Sequence, residues 1–297
     1  MGARSSRNTT QNNRSDGRLL EYFRSTFVRG GGAAGPISFL ATGGTKSTPG
    51  DGYVYHVFTT TDTFTTSKTT TNSVEFVVLG GGGGGGWGGD ASSGGGGSGG
   101  LVYGIVPSGL TGGSYPVVIG AAGASKSSGT QSTIVFNTPT ITAQGGGAGA
   151  SRDGSGPAAT SGGSGGGGAV YTTPPSAAPG TQPSQNPGNP LVNTQYGQSG
   201  TSSFGSYGGG RGGSANAPND NTSNASFPNS STILSGSPIG SNSIGRGGYG
   251  TGSGSDIYND GTAWPGTSYG SGGYGGRNAG GGGIDGVCVI RYPSSMI

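Results

Sequence analysis

The chain is poor in the residues that usually carry catalysis, metal binding and covalent stabilisation. Its 297 residues include one cysteine, Cys288, and one histidine, His56, and charged residues make up only 8%. One cysteine cannot form an intrachain disulfide, and one histidine with one cysteine does not supply a zinc site. We interpret His56 as a structural histidine and Cys288 as a buried, inert thiol. We therefore predict a protein that is not an enzyme, with no catalytic residue, metal or cofactor.

The chain also lacks the patterns of several other protein classes. No apolar run approaches the ~18 residues of a membrane-spanning helix, and the first residues are polar and basic rather than an apolar signal core. No glycine block continues into the Gly-Lys-Ser/Thr of a phosphate-binding loop. The Arg-Gly-Gly triplets at Arg29, Arg211 and Arg246 are too scattered to indicate an RNA-binding segment. We expect neither a membrane span nor a nucleic-acid partner.

Glycine is the residue that the chain has in excess. There are 74 glycines, over three times the ~7% of ordinary proteins, and they come in runs rather than at every third position, which excludes collagen. The apolar run Val74–Leu79 leads directly into Gly80–Gly86. Such a block is either a flexible linker or a polyglycine II helix. The helix has three residues per turn, and its backbone groups need partners on neighbouring helices.

The recurrence of glycine blocks favours packed helices. Six further blocks lie at residues 145–147, 162–168, 208–213, 245–250, 270–276 and 280–283. The apolar segment Val287–Tyr292 is the predicted sheet-mate of Val74–Leu79. Aromatic residues at block ends are candidates to cap the packed helices: Trp87, Tyr103, Tyr207, Tyr249, Tyr269 and Tyr274.

Alternating apolar residues bounded by Gly, Pro, Asn and Ser predict the strands. They are Tyr53–Phe58, Val74–Leu79, Leu101–Val106, Tyr115–Ile119, Thr133–Phe136, Thr140–Ala143 and Val287–Pro293. The predicted fold is mainly β: a small antiparallel β-sandwich with packed polyglycine II helices and long loops, preceded by an N-terminal arm and one short helix.

The N-terminal residues differ from the remainder in charge and pattern. We predict a basic extended arm over 1–15, a short amphipathic helix over 16–30, a hinge over 31–50 and the glycine-rich domain over 51–297. Apolar residues in 16–30 recur at helical spacing, so this helix either packs on its own domain or lies in a groove of a partner protein. We favour the partner, with these anchor residues: Arg18, Leu19, Leu20, Phe23, Arg24 and Phe27.

The order of these segments resembles the glycine-rich domain of bacteriophage tail-fibre, adhesin and other virion proteins. The segments that carry the likeness include Val74–Leu79 with Gly80–Gly86, Tyr115–Gly123, Ala143–Gly147 and Gly281–Pro293. The likeness covers about residues 50 to 297. Residues 172–240 depart from it, being richer in Pro, Asn and Ser. The resemblance implies a β-sandwich that carries polyglycine II helices in a virion appendage or host-contacting tip.

We therefore expect a virion protein, assembled in the host cytoplasm. The expected role is a tail fibre or tail appendage, present in many copies, that binds other virion proteins through its N-terminus. Its partner on the host would be a surface polysaccharide or an outer-membrane protein. The alternative is a capsid decoration or cement protein, and a glycine-rich cell-wall or RNA-binding protein fits less well.

Residues 195–275 are dominated by Tyr, Ser, Gly and Asn, a composition typical of binding loops. The candidate receptor contacts are Phe204, Tyr207, Tyr249, Tyr258, Trp264, Tyr269 and Tyr274. The alternative is that these aromatic side chains cap the glycine helices from inside.

Overall fold

The computed structural model describes residues 39–88, 93–107, 110–137, 139–152, 158–169, 177–202, 209–215, 231–239, 244–248, 250, 269–276 and 279–297. Two compact units can be distinguished, Met1–Phe39 with Ile297 and Leu40–Met296. The predicted arm (1–15) and helix (16–30) lie outside the described residues. Every strand and helix given below belongs to the second unit.

Eleven strands in the described residues form two antiparallel sheets. The first has the order β1-β4-β7-β8-β9 and the second the order β10-β6-β5-β11-β3-β2. The strands are β1 (Ala41–Thr42), β2 (Thr45–Ser47), β3 (Tyr53–Phe58), β4 (Asp62–Thr66), β5 (Val74–Leu79), β6 (Leu101–Val106), β7 (Gly113–Val118), β8 (Ser132–Val135), β9 (Thr140–Ala143), β10 (Val192–Tyr196) and β11 (Val287–Pro293). The predicted mainly β fold is confirmed.

Aromatic rings fill the space between the two sheets. Strand alternation sends one side chain in two to this interior, and neighbouring rings there have centroids 5.2 to 6.4 Å apart. The rings belong to Phe58, Phe64, Tyr115, Phe136 and Phe76 and are fully or almost fully buried. Strand β11 lies between β3 and β5 in continuous register, so the predicted pairing of Val287–Tyr292 with Val74–Leu79 is confirmed.

The outer face of the second sheet has its own apolar cover. Helix α1 (Ser231–Gly236) places Ile233 and Leu234 in a buried cluster with Val77 and Val289 of that sheet. The helix has only six residues and follows a Ser/Asn-rich stretch, so no periodic pattern predicts it. It lies within 172–240, where the sequence departs from the family pattern.

Side-chain amides close one edge of the sandwich in the same region. Gln182 is fully buried; its side chain donates to Thr142 O at 3.0 Å and accepts from Gln144 N at 2.6 Å. Asn186 likewise pairs with both backbone groups of Thr142. These amides therefore form hydrogen bonds with the backbone groups at the free edge of β9, as another strand would.

The predicted hinge over 31–50 is wrong in its second half. Strands β1 and β2 lie within it, and the chain turns from one sheet to the other at Gly43 and Gly44 with φ of +103° and +57°. A Cβ at Gly43 would lie 2.1 Å from Thr63 O. These strands are short and polar, so apolar alternation does not reveal them. The β domain begins no later than Ala41, not at residue 51.

Gly80–Gly86 forms the centre of a packed array of extended helices. Every third N–H group of the block donates to the same neighbour, as three residues per turn require, with N···O distances of 2.8 to 3.0 Å. The three accepting neighbours are the segments 94–100, 127–130 and 281–284. The block is therefore a polyglycine II helix and not a linker.

The carbonyl groups of the same block bind three further neighbours. Residues 81 to 86 accept from the segments 146–149, 123–126 and 273–276 at 2.8 to 3.0 Å. The central helix is thus surrounded by six others. A Cβ added at any of the seven glycines would lie 1.9 to 2.2 Å from a carbonyl oxygen of a neighbour, so each must be glycine. We call the whole array the lattice.

The lattice stands on one end of the sandwich. Strands β5 and β9 lead into it at Gly80 and Gln144, and β11 leaves it at Gly286. At the opposite end, Leu40 O accepts from Ser67 N beside β1, and Ser294 N donates to Gly52 O after β11. Both described ends of this unit therefore lie at the base. Seven residues of polyglycine II span roughly 22 Å, so the lattice projects about that far from the sandwich.

Replacing one central glycine should test the lattice directly. Gly83→Ala would put Cβ 2.2 Å from Gly147 O, and we expect a loss of about 3 kcal/mol in the free energy of unfolding. The melting temperature should fall by about 6–12 °C. The matched control is Gly113→Ala, because a Cβ there meets nothing within 4 Å. Equal melting temperatures for the two variants would contradict close packing of the helices.

His56 is a buried structural residue, as predicted. Its Nδ1 lies 2.7 Å from Gly43 O and its Nε2 3.2 Å from the Tyr292 hydroxyl. The carbonyl requires Nδ1–H as the donor, so Nε2 accepts from Tyr292. Burial, helped by the charge of Lys46, lowers the pKa of His56 below its ordinary value. The neutral ring thus holds the corner between the two sheets.

Acidic pH should lower the free energy of unfolding through the protonation of His56. The unfolded His56 takes up a proton near its ordinary pKa of about 6.5, while the folded one resists. The contribution of neutral His56 to the free energy of unfolding is therefore complete above about pH 6.5. It is lost as the pH falls toward the folded pKa, and the free energy of unfolding decreases by at most about 1.4 kcal/mol per pH unit. Urea unfolding between about pH 7 and pH 5 should show this slope. His56→Gln should remove it; an unchanged slope would assign the effect to other groups.

Candidate functional site: the distal tip

One polar cluster at the base of the second sheet pairs its charged groups internally. The Arg291 guanidinium pairs with the Glu75 carboxylate at 3.0 Å and lies 4.1 Å from the Tyr53 ring centroid. The Tyr55 hydroxyl donates to Asp51 Oδ2 at 2.6 Å. This bond lowers the pKa of Asp51, while burial raises the pKa of Tyr55. Each charge is matched by a neighbour, so the cluster fixes the base of the sheet and its chemistry is structural.

One end of the lattice points away from the sandwich. We call it the distal tip and define it by the described residues 86–88, 124–127, 150–152, 276 and 279. There the chain leaves the central helix at Trp87 and turns between two outer helices at Lys126. Loops carried on a rigid scaffold are where binding residues are usually found.

Trp87 is held firmly while its side chain remains accessible. Its N–H donates to the Ser151 hydroxyl at 3.2 Å, and its backbone forms a bridge with Gly276. The residue before it, Gly86, donates to Gly94 O at 2.9 Å. Trp87 as a whole is nevertheless 36% exposed. It is the one aromatic residue among the exposed large apolar residues in the described part of the chain.

Lys126 is placed over the indole by a strained turn. Its φ is +64°, and its N–H donates to Gly85 O at 3.0 Å while Ser127 N bonds Ala124 O at 2.9 Å. This turn brings the Lys126 ammonium to 3.9 Å from the Trp87 ring centroid. A cation over an indole face is attracted by the ring quadrupole, so the two side chains form one unit.

The Arg152 backbone adjoins the same part of the tip. A Cβ at Gly88 would lie 2.7 Å from both the backbone nitrogen and the Cβ of Arg152, so Arg152 passes directly beside the residue that follows Trp87. Ser151 and Ser125 supply hydroxyls, and Ser125 Oγ donates to Gly85 O at 3.2 Å. The tip thus combines an exposed indole with the Lys126 ammonium that lies over it, and such a pair of side chains is suited to non-covalent recognition.

Two further findings on the described residues concern other kinds of site. No group of three or more His, Cys, Asp or Glu side chains there could hold a metal ion. Nor does that part of the chain contain a helix long and apolar enough to cross a membrane.

Two of the predicted receptor contacts, Tyr274 and Tyr269, lie within the described residues. Tyr274 is 2% exposed, within a helix whose N–H groups bond the central block, so it is an internal lattice residue. Tyr269 is half-buried against the apolar cluster beneath α1, near the sandwich rather than the tip. Tyr103, a predicted lattice cap, belongs to β6 and donates to Glu75. The burial of Tyr274 fits the capping alternative, Tyr269 remains a predicted receptor contact, and Tyr103 lies in β6 rather than at the end of a glycine helix.

The remaining candidate side chains fall outside the described residues. They are the receptor candidates Phe204, Tyr207, Tyr249, Tyr258 and Trp264 and the anchor candidates Arg18, Leu19, Leu20, Phe23, Arg24 and Phe27. Sequence reasoning placed Trp87 at the end of a glycine block but assigned it only to capping. It missed Lys126 altogether, because the approach of Lys126 to Trp87 depends on how separate segments meet.

Comparison with known proteins adds one finding. A family model described as a glycine-rich domain matches residues 59–293. None of the curated proteins compared matches the chain.

Stability measurements should separate the internal aromatic residue from the surface one. Tyr274→Ala removes a buried ring and should cost about 3–5 kcal/mol. Trp87→Ala removes an exposed ring and one cation–π contact, so it should cost about 0.5–1 kcal/mol. Chemical denaturation of both variants tests this order. Similar losses would mean that Trp87 is a packing residue and not part of a surface site.

Proposed function

Since the chain belongs to the glycine-rich domain family, we propose that it is a bacteriophage virion protein: a tail-fibre or tail-appendage component that attaches to the host surface through its distal tip. Attachment uses the tip as a binding surface and involves no catalysis. The partner on the host is a surface polysaccharide or an outer-membrane protein.

The polarity of the domain is the observation that carries this proposal. Leu40 and Ser294 lie at the base of the sandwich, whereas Trp87 and Lys126 lie at the far end of the lattice. A protein that is fixed at one end and binds with the other needs this arrangement. The lattice suits the role of a spacer because its backbone groups are bonded from helix to helix, which leaves little freedom to bend.

The N-terminal residues supply the attachment to the particle in this proposal. Their basic charge and their stripe of Leu and Phe side chains suit a groove on another virion protein. Several copies on one particle would raise the effective concentration of tips near the host surface. Modest affinity at each tip would then suffice for adsorption.

Substitutions in the anchor should separate assembly from recognition. We expect Leu19→Asp with Phe23→Asp to reduce incorporation of the protein into particles at least about tenfold, because two carboxylates in an apolar stripe oppose burial. Quantitative immunoblotting of purified particles measures this. The control is Thr9→Asp with Thr10→Asp, which adds the same charge outside the stripe. Equal incorporation of both variants would contradict the anchor.

Adsorption of the purified full-length protein to host cells tests the other half of the proposal. The wild-type protein and the anchor variant should both bind cells, since the tip is unchanged in both. Protein that enters particles normally but does not bind cells would contradict host attachment and favour a capsid decoration protein.

A further inference from the structure

We propose that β9 is a strand-addition site that the chain closes with two of its own side-chain amides. The two amides are those of Gln182 and Asn186, which we call the amide clasp. With the clasp in place, the free edge of β9 is blocked. Without it, β9 of one copy of the protein would pair with β9 of a second copy. This inference goes beyond the proposed function, because it concerns association between copies and not contact with a host.

Strand β9 is the edge strand that lacks a protective feature of its own. The edge strands of the two sheets in the described residues are β1, β9, β10 and β2. Strand β1 has two residues, β2 has three and carries Lys46, and the pairing of β10 is irregular between Val192 and Thr194. Short length, lysine and bulges usually keep an edge from pairing with another chain. Strand β9 pairs regularly with β8 over all four of its residues and contains no charged residue or proline, so its free edge is suited to strand addition.

The clasp makes the hydrogen bonds that an added strand would make. Thr142 N donates to Asn186 Oδ1 at 2.9 Å, and Thr142 O accepts from Asn186 Nδ2 at 2.8 Å. Gln182 Nε2 donates to the same carbonyl at 3.0 Å, while Gln182 Oε1 accepts from Gln144 N at 2.6 Å. A side-chain amide offers both a donor and an acceptor, as a neighbouring backbone does. The groups that a second chain would need are therefore already bonded.

Contacts with both sheets hold the clasp in place. Its two amides also donate to Gln195 Oε1 of β10, at 3.1 Å from Gln182 and 2.7 Å from Asn186. Gln182 is fully buried and Asn186 is 8% exposed. A Cβ at Gly100 would lie 2.3 Å from Gln182 Oε1, so a lattice helix closes the space beside that amide. Hydrogen bonds shielded from water in this way are strengthened, and an approaching strand does not displace them.

A second copy of β9 fits the opened edge because antiparallel pairing is reciprocal. Two identical strands related by a two-fold axis each supply the donors and acceptors that the other lacks. Without the clasp, the N–H and C=O groups of Thr142 would be left unpaired, which is unfavourable where water is partly excluded. Pairing with the other copy restores their bonds. It also uses up the edge of both copies, so association should stop at a dimer.

Size-exclusion chromatography with light scattering on the full-length protein measures this association. Gln182→Met with Asn186→Leu keeps the size of both side chains but removes both amides, and we expect about twice the molar mass of the wild-type protein. The matched control is Gln131→Met with Asn72→Leu, the same replacements at exposed positions, which should keep the wild-type mass. A wild-type mass for the clasp variant, or equal association of the control, would overturn the inference.

A proline in β9 tests whether the association runs through this strand. Thr142 N bonds the clasp and not β8, so Thr142→Pro removes a donor from the free edge and leaves the pairing with β8 in place. Added to the clasp variant, it should restore the wild-type mass. A dimer that persists, or larger aggregates, would show association through another surface and contradict the role of β9.

Hydrogen exchange of the wild-type protein tests the closed state without any substitution. The N–H groups of Thr142 and Gln144 should exchange as slowly as those of the central strand β5, because both are bonded to buried amides. Exchange as fast as in an exposed loop would mean that the edge is open in the folded protein. That result would overturn the inference even if the clasp variant failed to fold.

Discussion

The fold depends on hydrogen bonding between backbones that have no side chains between them. In the central helix every N–H and nearly every C=O points outward, so the helix is stable only if neighbours supply partners. Six neighbours do so at 2.8 to 3.0 Å, and a Cβ on any of its glycines would collide with a carbonyl. The abundance of glycine is therefore a steric requirement of the lattice, which is the opposite of the flexibility that glycine usually brings.

The β-sandwich and the lattice complement one another. A strand such as β5 bonds two neighbours in one plane, whereas the helix that continues it bonds six neighbours around its axis. The sandwich supplies the apolar core that the lattice lacks, and its register aligns the helices that leave it. Side chains enter the lattice only where space allows: Ser98 and Ser164 are buried there with their hydroxyls 2.9 Å apart.

The contrast between the apolar sandwich and the glycine lattice also explains where binding residues can lie. Inside the lattice only a few buried side chains fit, and at the base the charged groups of Arg291 and Glu75 pair with one another. The turns at the far end are free of both constraints. Trp87 and Lys126 occur there, each fixed by backbone bonds to the central helix or its neighbours. A rigid array of backbones thus presents a small number of side chains in a defined geometry.

The sequence by itself determined the mainly β class, the principal strands, the pairing of β11 with β5 and the helical state of Gly80–Gly86. Each follows from local pattern: apolar alternation for strands, and recurrent blocks for a backbone that must find partners. Only the tertiary structure decided that Tyr274 is internal, that β1 and β2 belong to the domain, and that Lys126 lies over Trp87. Those facts depend on which distant segments become neighbours, and glycine blocks are too alike in sequence to specify their own order in the lattice.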